Sequence, residues 1–317
     1  HIHIDPSYGG LMNFLEDITR RSGYNFNPNF VHKNISEWYS NNCILRYDVG
    51  AEGDSNVGTV KNFLEVLCKE RVVPDIEFFL NRRDFPILTR DGTEAYNNVW
   101  DGVDVPLVSY LYDKYIPIFS MCTGKRYADV AMPTYEDWAR VQSERGIWFP
   151  KSCKDYSIKG FNGEWDKKAS IAVFRGGSTG CGVTVETNPR LKVAEMSHKL
   201  GRDNGLLDAG ITNWNLRPRK ISGQKYLQTI DVDKLSFGLV NKLSPEEQSR
   251  RYKYIINIDG HVSAFRLSLE LAMGSVILLV DSDWKMWFSN KLKPWVHYVP
   301  VKSDLSDLLD QIRWCQN

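Results

Sequence analysis

The sequence predicts an α/β protein built on a parallel, doubly wound sheet. Its second half alternates short apolar segments of strand length with longer segments of helical spacing, as in parallel sheets with crossover helices. The most apolar stretch, residues 275–280, has the length of a buried strand and is far too short to span a membrane. Because 317 residues exceed the size that one hydrophobic core usually supports, we expect two domains.

Apolar spacing and chain breakers place the elements of the first half. Helical spacing marks residues 11–21 and 59–70, and Pro74 ends the second helix. Short apolar runs predict strands over 43–47, 76–80 and 116–120. A polar stretch over residues 155–168 follows, and we place the domain boundary there.

The second half contains the regular alternation. Strands are predicted over 170–174, 254–258, 275–280 and 297–301, with helices over 189–200, 263–273 and 305–314. Ser263 is the expected N-cap of its helix, and Gly274 is the expected stop.

Composition excludes several classes of function. The 40 basic residues nearly balance the 39 acidic ones, so no overall attraction to nucleic acid or to an anionic membrane is expected. The six cysteines form no CxxC pair, so structural zinc is not expected, and their scatter favours reduced thiols. The six histidines form no HExxH motif, which argues against a zinc hydrolase.

The segment IDGHVSAFR at 258–266 is the first candidate site. A strand ends, Gly260 turns the chain, and the predicted helix begins at once, so free backbone amides would face an anion. Arg266 lies in the first turn and could bind a diphosphate. The alternative is a simple strand–helix turn whose arginine pairs with a carboxylate.

A glycine-rich segment, RGGSTGCG at 175–182, is the second candidate. Glycines after a strand let the backbone approach a phosphate or a sugar closely. No lysine follows in P-loop position and the spacing is not GxGxxG, so both of those motifs are rejected. Arg190 on the next helix could supply a second cation; the alternative is a flexible loop.

Carboxylates provide two further candidates. Asp84 ends a strand just before an X-Pro bend, a rigid mounting for a general base, and the alternative is pairing with Arg82 or Arg83. Asp281 and Asp283 follow the apolar strand as DxD, a weak signal for a divalent metal. The basic run LRPRK at 216–220 is interpreted as a solvated loop.

Several short motifs, taken in order, resemble one family. They are NRRDFP at 81–86, IPIFS at 116–120, YAD at 127–129, FRG at 174–176, YKY at 252–254, FR at 265–266, GS at 274–275 and LKPWVHY at 292–298. Together they resemble the Rumi-type protein O-glucosyltransferases, glycosyltransferase family 90, from about Pro74 to the end of the chain.

The resemblance implies a GT-B fold, with two Rossmann-like domains facing across a cleft. Residues 1–160 would form the acceptor-side domain and residues 161–317 the UDP-sugar-binding domain, the last helix packing back on the N-terminal domain. The implied activity is inverting transfer of glucose or xylose, from UDP-glucose or UDP-xylose, to a hydroxyl of a glycan or a protein, as in glycan biosynthesis.

Site residues are carried over by position. Asp84 falls on the catalytic base, Arg190 on a donor-site arginine, and Ile147 and Trp148 near the acceptor-binding wall. Gly177 replaces a donor-contacting serine, for which Ser178 could substitute. The diphosphate-binding turn corresponds to His261, Val262, Ser263, Ala264, Phe265 and Arg266. Asp281 aligns with a glycine in close relatives, so no metal site is expected and Mn²⁺ is not expected to be essential.

Arg250 and Met273 stand where secretory-pathway relatives carry a cysteine pair, and the chain lacks a retention tetrapeptide. We therefore expect a cytoplasmic protein, including a viral protein in host cytoplasm, with the secretory-pathway lumen as the alternative. Two functional alternatives also stay open: a Mn²⁺-dependent GT-A-like transferase using Asp281 and Asp283, and a non-catalytic module that binds sugar or protein. An epimerase would need an NAD fingerprint, which the sequence lacks.

Overall fold

The structure is a computed structural model. It describes residues 35–40, 43–48, 55–74, 76, 78–81, 84–86, 90, 118–141, 164–201, 203–219, 221 and 223–317. These residues fall into two compact units, one ending at 141 and the other beginning at 164. The predicted helix over 11–21 and the predicted boundary between residues 160 and 161 lie outside the described residues, and both stay predictions.

The described residues of the first unit form a hairpin, two helices and a small parallel sheet. Strands β1 (Ile35–Ser40) and β2 (Cys43–Asp48) pair antiparallel. Helix α1 spans Ser55–Glu70 and α2 spans Tyr135–Val141. The parallel sheet has the order β3-β4-β5, with β3 at Phe79–Leu80, β4 at Ile118–Ser120 and β5 at Val130–Ala131. Trp138 on α2 donates Nε1–H to Asn62 Oδ1 on α1 at 2.9 Å, which joins the two helices.

The second unit is built on a five-stranded parallel sheet. Its strands are β6 (Ala169–Gly177), β7 (Leu207–Asn213), β8 (Tyr252–Asn257), β9 (Val276–Val280) and β10 (Val299–Val301). They lie in the order β10-β9-β8-β6-β7, and each neighbouring pair is parallel. This sheet confirms the predicted α/β class and every predicted strand of the second half.

Four helices accompany this sheet: α3 (Pro189–Leu200), α4 (Pro245–Arg251), α5 (Leu267–Glu270) and α6 (Leu308–Gln316). Helix α3 begins where predicted, because Pro189 follows Asn188, whose side chain caps the amides of Arg190 and Leu191. The predicted helix over 263–273 is wrong in its start and length. Only residues 267–270 are helical, and Ser263 is not its N-cap.

Alternating side chains of the sheet bury two separate cores. On one face, Ala172 and Phe174 of β6 pack in a cluster with Leu191 and Val193 of α3. On the other face, Val173 packs with residues that include Leu267 and Leu269 of α5. Both faces are therefore covered, as a parallel sheet requires, and only the strand ends are left to carry a site.

The last helix packs on the sheet of its own unit. Leu308 and Ile312 are completely buried, and Tyr254 of β8 donates its hydroxyl to Cys315 O at 2.7 Å. In the part of the chain that the structure describes, none of the helices combines the length and apolar character needed to cross a bilayer.

Candidate functional site

The strand order of the second unit contains a topological switch point. The connection after β6 runs to β7 at one edge of the sheet, whereas the chain then crosses to β8 on the other side of β6. In open parallel sheets, ligands bind beyond the carboxyl ends of the two strands at which the order reverses. Here those ends are the glycine-rich loop after β6 and the turn at 258–266 after β8. The structure thus brings the two predicted anion-binding segments together.

Internal hydrogen bonds hold the loop after β6. Asn188 donates Nδ2–H to Gly182 O at 3.1 Å and to Thr179 O at 3.3 Å, besides capping α3. Gly180 has a φ of 135°, a backbone conformation that strongly favours glycine. A Cβ at Gly182 would lie 2.1 Å from the backbone oxygen of Thr187. The loop is therefore a closely packed, internally hydrogen-bonded turn.

We expect Gly182→Ala to destabilise the second unit. The added methyl overlaps the Thr187 carbonyl, and overpacking of this kind typically lowers the free energy of unfolding by about 1–3 kcal/mol. Gly238→Ala is the matched control, because a Cβ at Gly238 meets nothing within 4 Å. Denaturant unfolding measures both variants, and equal unfolding free energies would refute the close packing of this loop.

Two of the predicted donor residues, Gly177 and Ser178, lie at the end of β6. A Cβ at Gly177 would lie 2.8 Å from Asn213 Nδ2, so a serine there would displace the Asn213 side chain. Ser178 is fully buried, and its Oγ accepts the backbone N–H of Asn215 at 2.7 Å. Its hydroxyl therefore fixes the segment after β7 against the loop after β6.

Arg190 is buried beneath this loop and donates from all three of its nitrogens. Nη1 donates to Thr179 Oγ1 at 2.7 Å and to Gly177 O at 3.2 Å. Nε donates to Asp259 O at 3.0 Å, and Nη2 to Ile258 O at 2.8 Å. Burial, and then the nearby charge of Arg266, lowers the pKa of the guanidinium to about 9, so the group is still protonated at neutral pH. Arg190 joins the two loops of the switch point and leaves a positive charge between them.

Arg266 reaches the same place from the other loop. Its guanidinium lies 5.3 Å from the centroid of the Phe174 ring, and that of Arg190 lies 5.8 Å from the same ring. Arg266 Nη1 donates to Arg175 O at 2.8 Å, and Nε lies 2.8 Å from Glu270 Oε1. The Arg266 side chain is still 32% exposed, unlike that of Arg190. It is the cation of the pair that a ligand can reach.

The turn between β8 and α5 is organised by a partly buried aspartate. Asp259 accepts the backbone N–H of Ala264 at Oδ1, 2.7 Å away, and the hydroxyl of Ser282 at Oδ2. Burial raises the pKa of this carboxyl. Gly260 N–H donates to Val262 O at 2.9 Å and Leu267 N–H to Ala264 O at 2.9 Å, so residues 260–266 form tight turns in place of i→i+4 helical turns, and the helix begins only at Leu267. These turns occupy the residues at which the predicted helix was to start, which is why its predicted start is wrong.

His261 links the turn to the glycine-rich loop. Its Nδ1 accepts the backbone N–H of Gly180 at 3.2 Å. Burial, followed by the charges of Arg219, Arg217 and Arg190, lowers the pKa of the imidazole to about 4. The ring is therefore neutral at pH 7, and with Nδ1 accepting, the proton resides on Nε2.

The DxD segment contributes to the same turn through its middle residue. Ser282 donates its hydroxyl to Asp259, whereas Asp281 is exposed and its backbone N–H donates to Val301 O at 2.8 Å. The described residues contain no group of three or more histidine, cysteine, aspartate or glutamate side chains able to hold a metal ion.

Asp84 lies in the first unit, in a bend just past β3, and it is exposed. Hydrogen bonds hold this bend: Asn81 donates Nδ2–H to Phe85 O at 2.6 Å and to Ser120 Oγ at 3.1 Å. Cys122 Sγ lies 3.4 Å from the backbone oxygen of Asp84. The bend that carries Asp84 is thus hydrogen-bonded to its neighbours, and the role of Asp84 as a base stays a prediction. Arg82, Arg83, Ile147 and Trp148 lie outside the described residues.

One buried cation at the switch point escaped the sequence analysis. Arg219 belongs to the basic run at 216–220, which we interpreted as a solvated loop, yet it is completely buried. Its Nη2 donates to Ser178 O at 3.0 Å. Arg217 of the same run is exposed, as expected. The run itself does not distinguish Arg219 from Arg217, because the burial of Arg219 depends on its pairing with Gln228.

Comparisons with known proteins find one matching family model and several relatives. The model of glycosyl transferase family 90 matches residues 54–317. Protein 179R of Invertebrate iridescent virus 6 is 48% identical over an alignment 357 positions long, which covers 99% of this chain and 30% of that protein. Protein O-glucosyltransferase 2 of Danio rerio is 32% identical over 257 residues, covering 80% of this chain and 42% of the relative. Protein O-glucosyltransferase 3 of Homo sapiens is 28% identical over 311 residues, covering 96% of this chain and 51% of the relative. The chain thus spans between about a third and a half of the length of these relatives.

Proposed function

Because the chain belongs to glycosyltransferase family 90, we propose that it transfers a sugar from a UDP-sugar to an acceptor hydroxyl with inversion. The observation that supports this most is the meeting of Arg190 and Arg266 at one aromatic ring, Phe174, where the strand order reverses. A paired cationic site at a switch point suits a nucleotide diphosphate.

In this proposal the departing UDP is stabilised by fixed positive charge. Arg266 contacts the diphosphate through its exposed part, and Arg190 acts through its charge and by holding both loops in place. The backbone of residues 261–266 and the glycine at 177 line the donor pocket. These charges are in position before the reaction, so the site need not reorganise when the bond between C1 and the phosphate oxygen breaks. They therefore accelerate the departure of UDP.

The acceptor oxygen is activated by Asp84. As this oxygen bonds to the anomeric carbon, its proton moves to the Asp84 carboxylate and the electron pair of the old C1–O bond leaves with UDP. A single displacement inverts the anomeric configuration. Ile147 and Trp148 are proposed to form the wall against which the acceptor rests.

This chemistry needs the two units to face each other in a GT-B arrangement. We propose residues 1–160 as the acceptor-side domain and residues 161–317 as the donor domain. Two observations support this assignment: Asp84 is exposed in the first unit, and the arginine pair belongs to the second unit.

Glucose is the sugar that the relatives favour, since two of them are named protein O-glucosyltransferases. Xylose stays the alternative, because one side chain in the pocket decides whether the C6 hydroxymethyl fits. By the same analogy the acceptor is a protein or glycan hydroxyl.

A panel of UDP-sugars tests the proposed function. We expect UDP and one UDP-sugar, UDP-glucose or UDP-xylose, to raise the melting temperature of the full chain. That donor should be hydrolysed or transferred equally well in EDTA, with a β-linked product by NMR. Loss of turnover in EDTA that Mn²⁺ restores would favour the GT-A-like alternative at Asp281 and Asp283. Binding of sugar or acceptor without turnover from any donor would favour a non-catalytic module.

Localisation to the cytoplasm stays a prediction, with the secretory lumen as its alternative. Two positions support the cytoplasmic prediction, because the resemblance places a cysteine pair of the secretory-pathway relatives at Arg250 and Met273. Arg250 is exposed and pairs with Glu246 at 3.2 Å, and Met273 is buried. The described thiols of Cys68, Cys122, Cys181 and Cys315 are free.

A further inference from the structure

Arg219 is fixed in a buried position by its own backbone. Its N–H donates to Gln228 O at 2.7 Å, and Gln228 N–H donates back to Arg219 O at 2.9 Å, an isolated antiparallel bridge. This bridge directs the side chain inward, beneath the end of β6, while Arg217 two residues earlier stays exposed. The burial of Arg219 is therefore built into the fold.

Only one edge of the Arg219 guanidinium is used by the protein. Nη2 donates to Ser178 O at 3.0 Å and to Asn215 O at 3.1 Å. Nε and Nη1 are buried, and neither has a hydrogen-bond acceptor within the described part of the chain. Among the described residues, no carboxylate lies within salt-bridge distance of Arg219, in contrast to Arg266, which pairs with Glu270.

A buried guanidinium without a counter-charge is energetically costly. Burial lowers the pKa of Arg219, the thiol of Cys181 opposes that shift, and Arg217 adds to it. Among the described residues, no aspartate or glutamate contributes to the balance. The local charge balance thus lacks an anion.

His261 presents a second buried donor beside this cation. Since its Nδ1 accepts the Gly180 amide, the neutral ring carries its proton on Nε2. That nitrogen is buried, and the residues that the structure describes give it no hydrogen-bond partner. The side chains of Arg219 and His261 therefore both offer N–H donors, with no acceptor to receive them, at the same switch point as Arg190.

We propose that Arg219 and His261 form a buried subsite for one phosphate-class anion, adjoining the site of Arg190 and Arg266. The anion has two candidate sources: a phosphoryl group of the nucleotide donor, or free inorganic phosphate. The first source rests on the proposed function, whereas the second does not. Both supply the oxygen acceptors and the negative charge that the two side chains lack.

Three variants separate a subsite from a purely structural role. Arg219→Met removes the cation and its donors. In His261→Asn, the asparagine Oδ1 takes the place of Nδ1 as the acceptor of the Gly180 amide, and the Nε2 donor is removed. Arg217→Met is the matched control, because it removes an exposed arginine from the same run. Thermal melting checks that each variant is folded.

Calorimetric titration of UDP, uridine and inorganic phosphate then tests the subsite. We expect Arg219→Met to weaken UDP binding about tenfold or more and His261→Asn to weaken it about threefold or more, as for lost hydrogen bonds to a charged group. Arg217→Met should change UDP affinity by less than about twofold, as for a screened surface charge. Uridine, which carries no phosphate, should bind all four proteins alike.

Each other outcome separates the subsite from the proposed function. If UDP binds the wild type and both subsite variants with equal affinity, the subsite is wrong and the donor function stands. If the wild type binds phosphate but not UDP, and Arg219→Met abolishes this, the subsite stands with free phosphate as its ligand and the donor function fails. An equal loss of uridine affinity would assign Arg219 to the base and overturn the anion proposal. Should Arg219→Met not fold, the result for His261→Asn decides.

Discussion

Replacing Asp84 by asparagine should lower turnover at least about 100-fold, since general-base assistance is typically worth about 10²- to 10⁴-fold. Asparagine has nearly the same shape but cannot accept the proton of the attacking hydroxyl. UDP affinity should change little, because Asp84 belongs to the first unit and the proposed donor site to the second. Initial rates with the donor found in the UDP-sugar panel measure the first quantity, and calorimetric titration of UDP measures the second.

Asp310→Asn is the control for this result, because Asp310 is 79% exposed and pairs only with a nearby arginine. It should keep wild-type turnover. Wild-type turnover in Asp84→Asn would remove Asp84 from the role of base. A parallel loss of turnover and of melting temperature would mean instead that Asp84 supports the bend after β3.

Replacing Arg266 by alanine should weaken UDP binding about 10- to 100-fold, the range for a lost charge-assisted hydrogen bond. The arginine is the exposed member of the pair at Phe174, so the diphosphate loses its direct contact. Turnover should fall as well, because the charge that stabilises the leaving group is gone. Arg266→Lys should recover part of the UDP affinity through its charge, but not all of it, since a lysine cannot bind in the bidentate fashion of arginine.

Stability has to be separated from binding in this variant. Arg266 pairs with the buried Glu270, which also accepts Asn257 Nδ2–H at 2.6 Å. Arg250→Ala is the matched control, because Arg250 forms an i,i+4 pair with Glu246 on the surface, where little stability is at stake. If Arg266→Ala stays folded and binds UDP as the wild type does, the diphosphate site is assigned to the wrong residues.

Periodicity was sufficient to predict most of the parallel sheet. β6, β8, β9 and β10 are apolar runs bounded by turn residues, and their side chains alternate between two buried faces. The sequence did not predict β7, which reads LDAGITN and contains a glycine. The structure explains that glycine: a Cβ at Gly210 would lie 2.4 Å from Val240 Cγ2, so another segment of the chain requires the close approach. Such a contact between distant segments leaves no local signature.

The candidate site divides in the same way. Arg190 and Arg266 were found because glycines and strand ends mark their segments. Two other features depend on the fold and not on the local pattern: the inward position of Arg219, set by its pairing with Gln228, and the tight turns over 260–266, where Asp259 also accepts the Ala264 amide. These turns occupy the residues at which the helix was predicted to start, and the helix begins at Leu267.

A crystal structure of the chain with a UDP-sugar bound tests the central claim most directly. We expect the diphosphate to contact Arg266 beyond the carboxyl ends of β6 and β8, with the Asp84 carboxylate facing the anomeric carbon across a shared cleft. A nucleotide bound elsewhere, or a carboxylate of Asp84 turned away from the sugar on an outer surface, would contradict it.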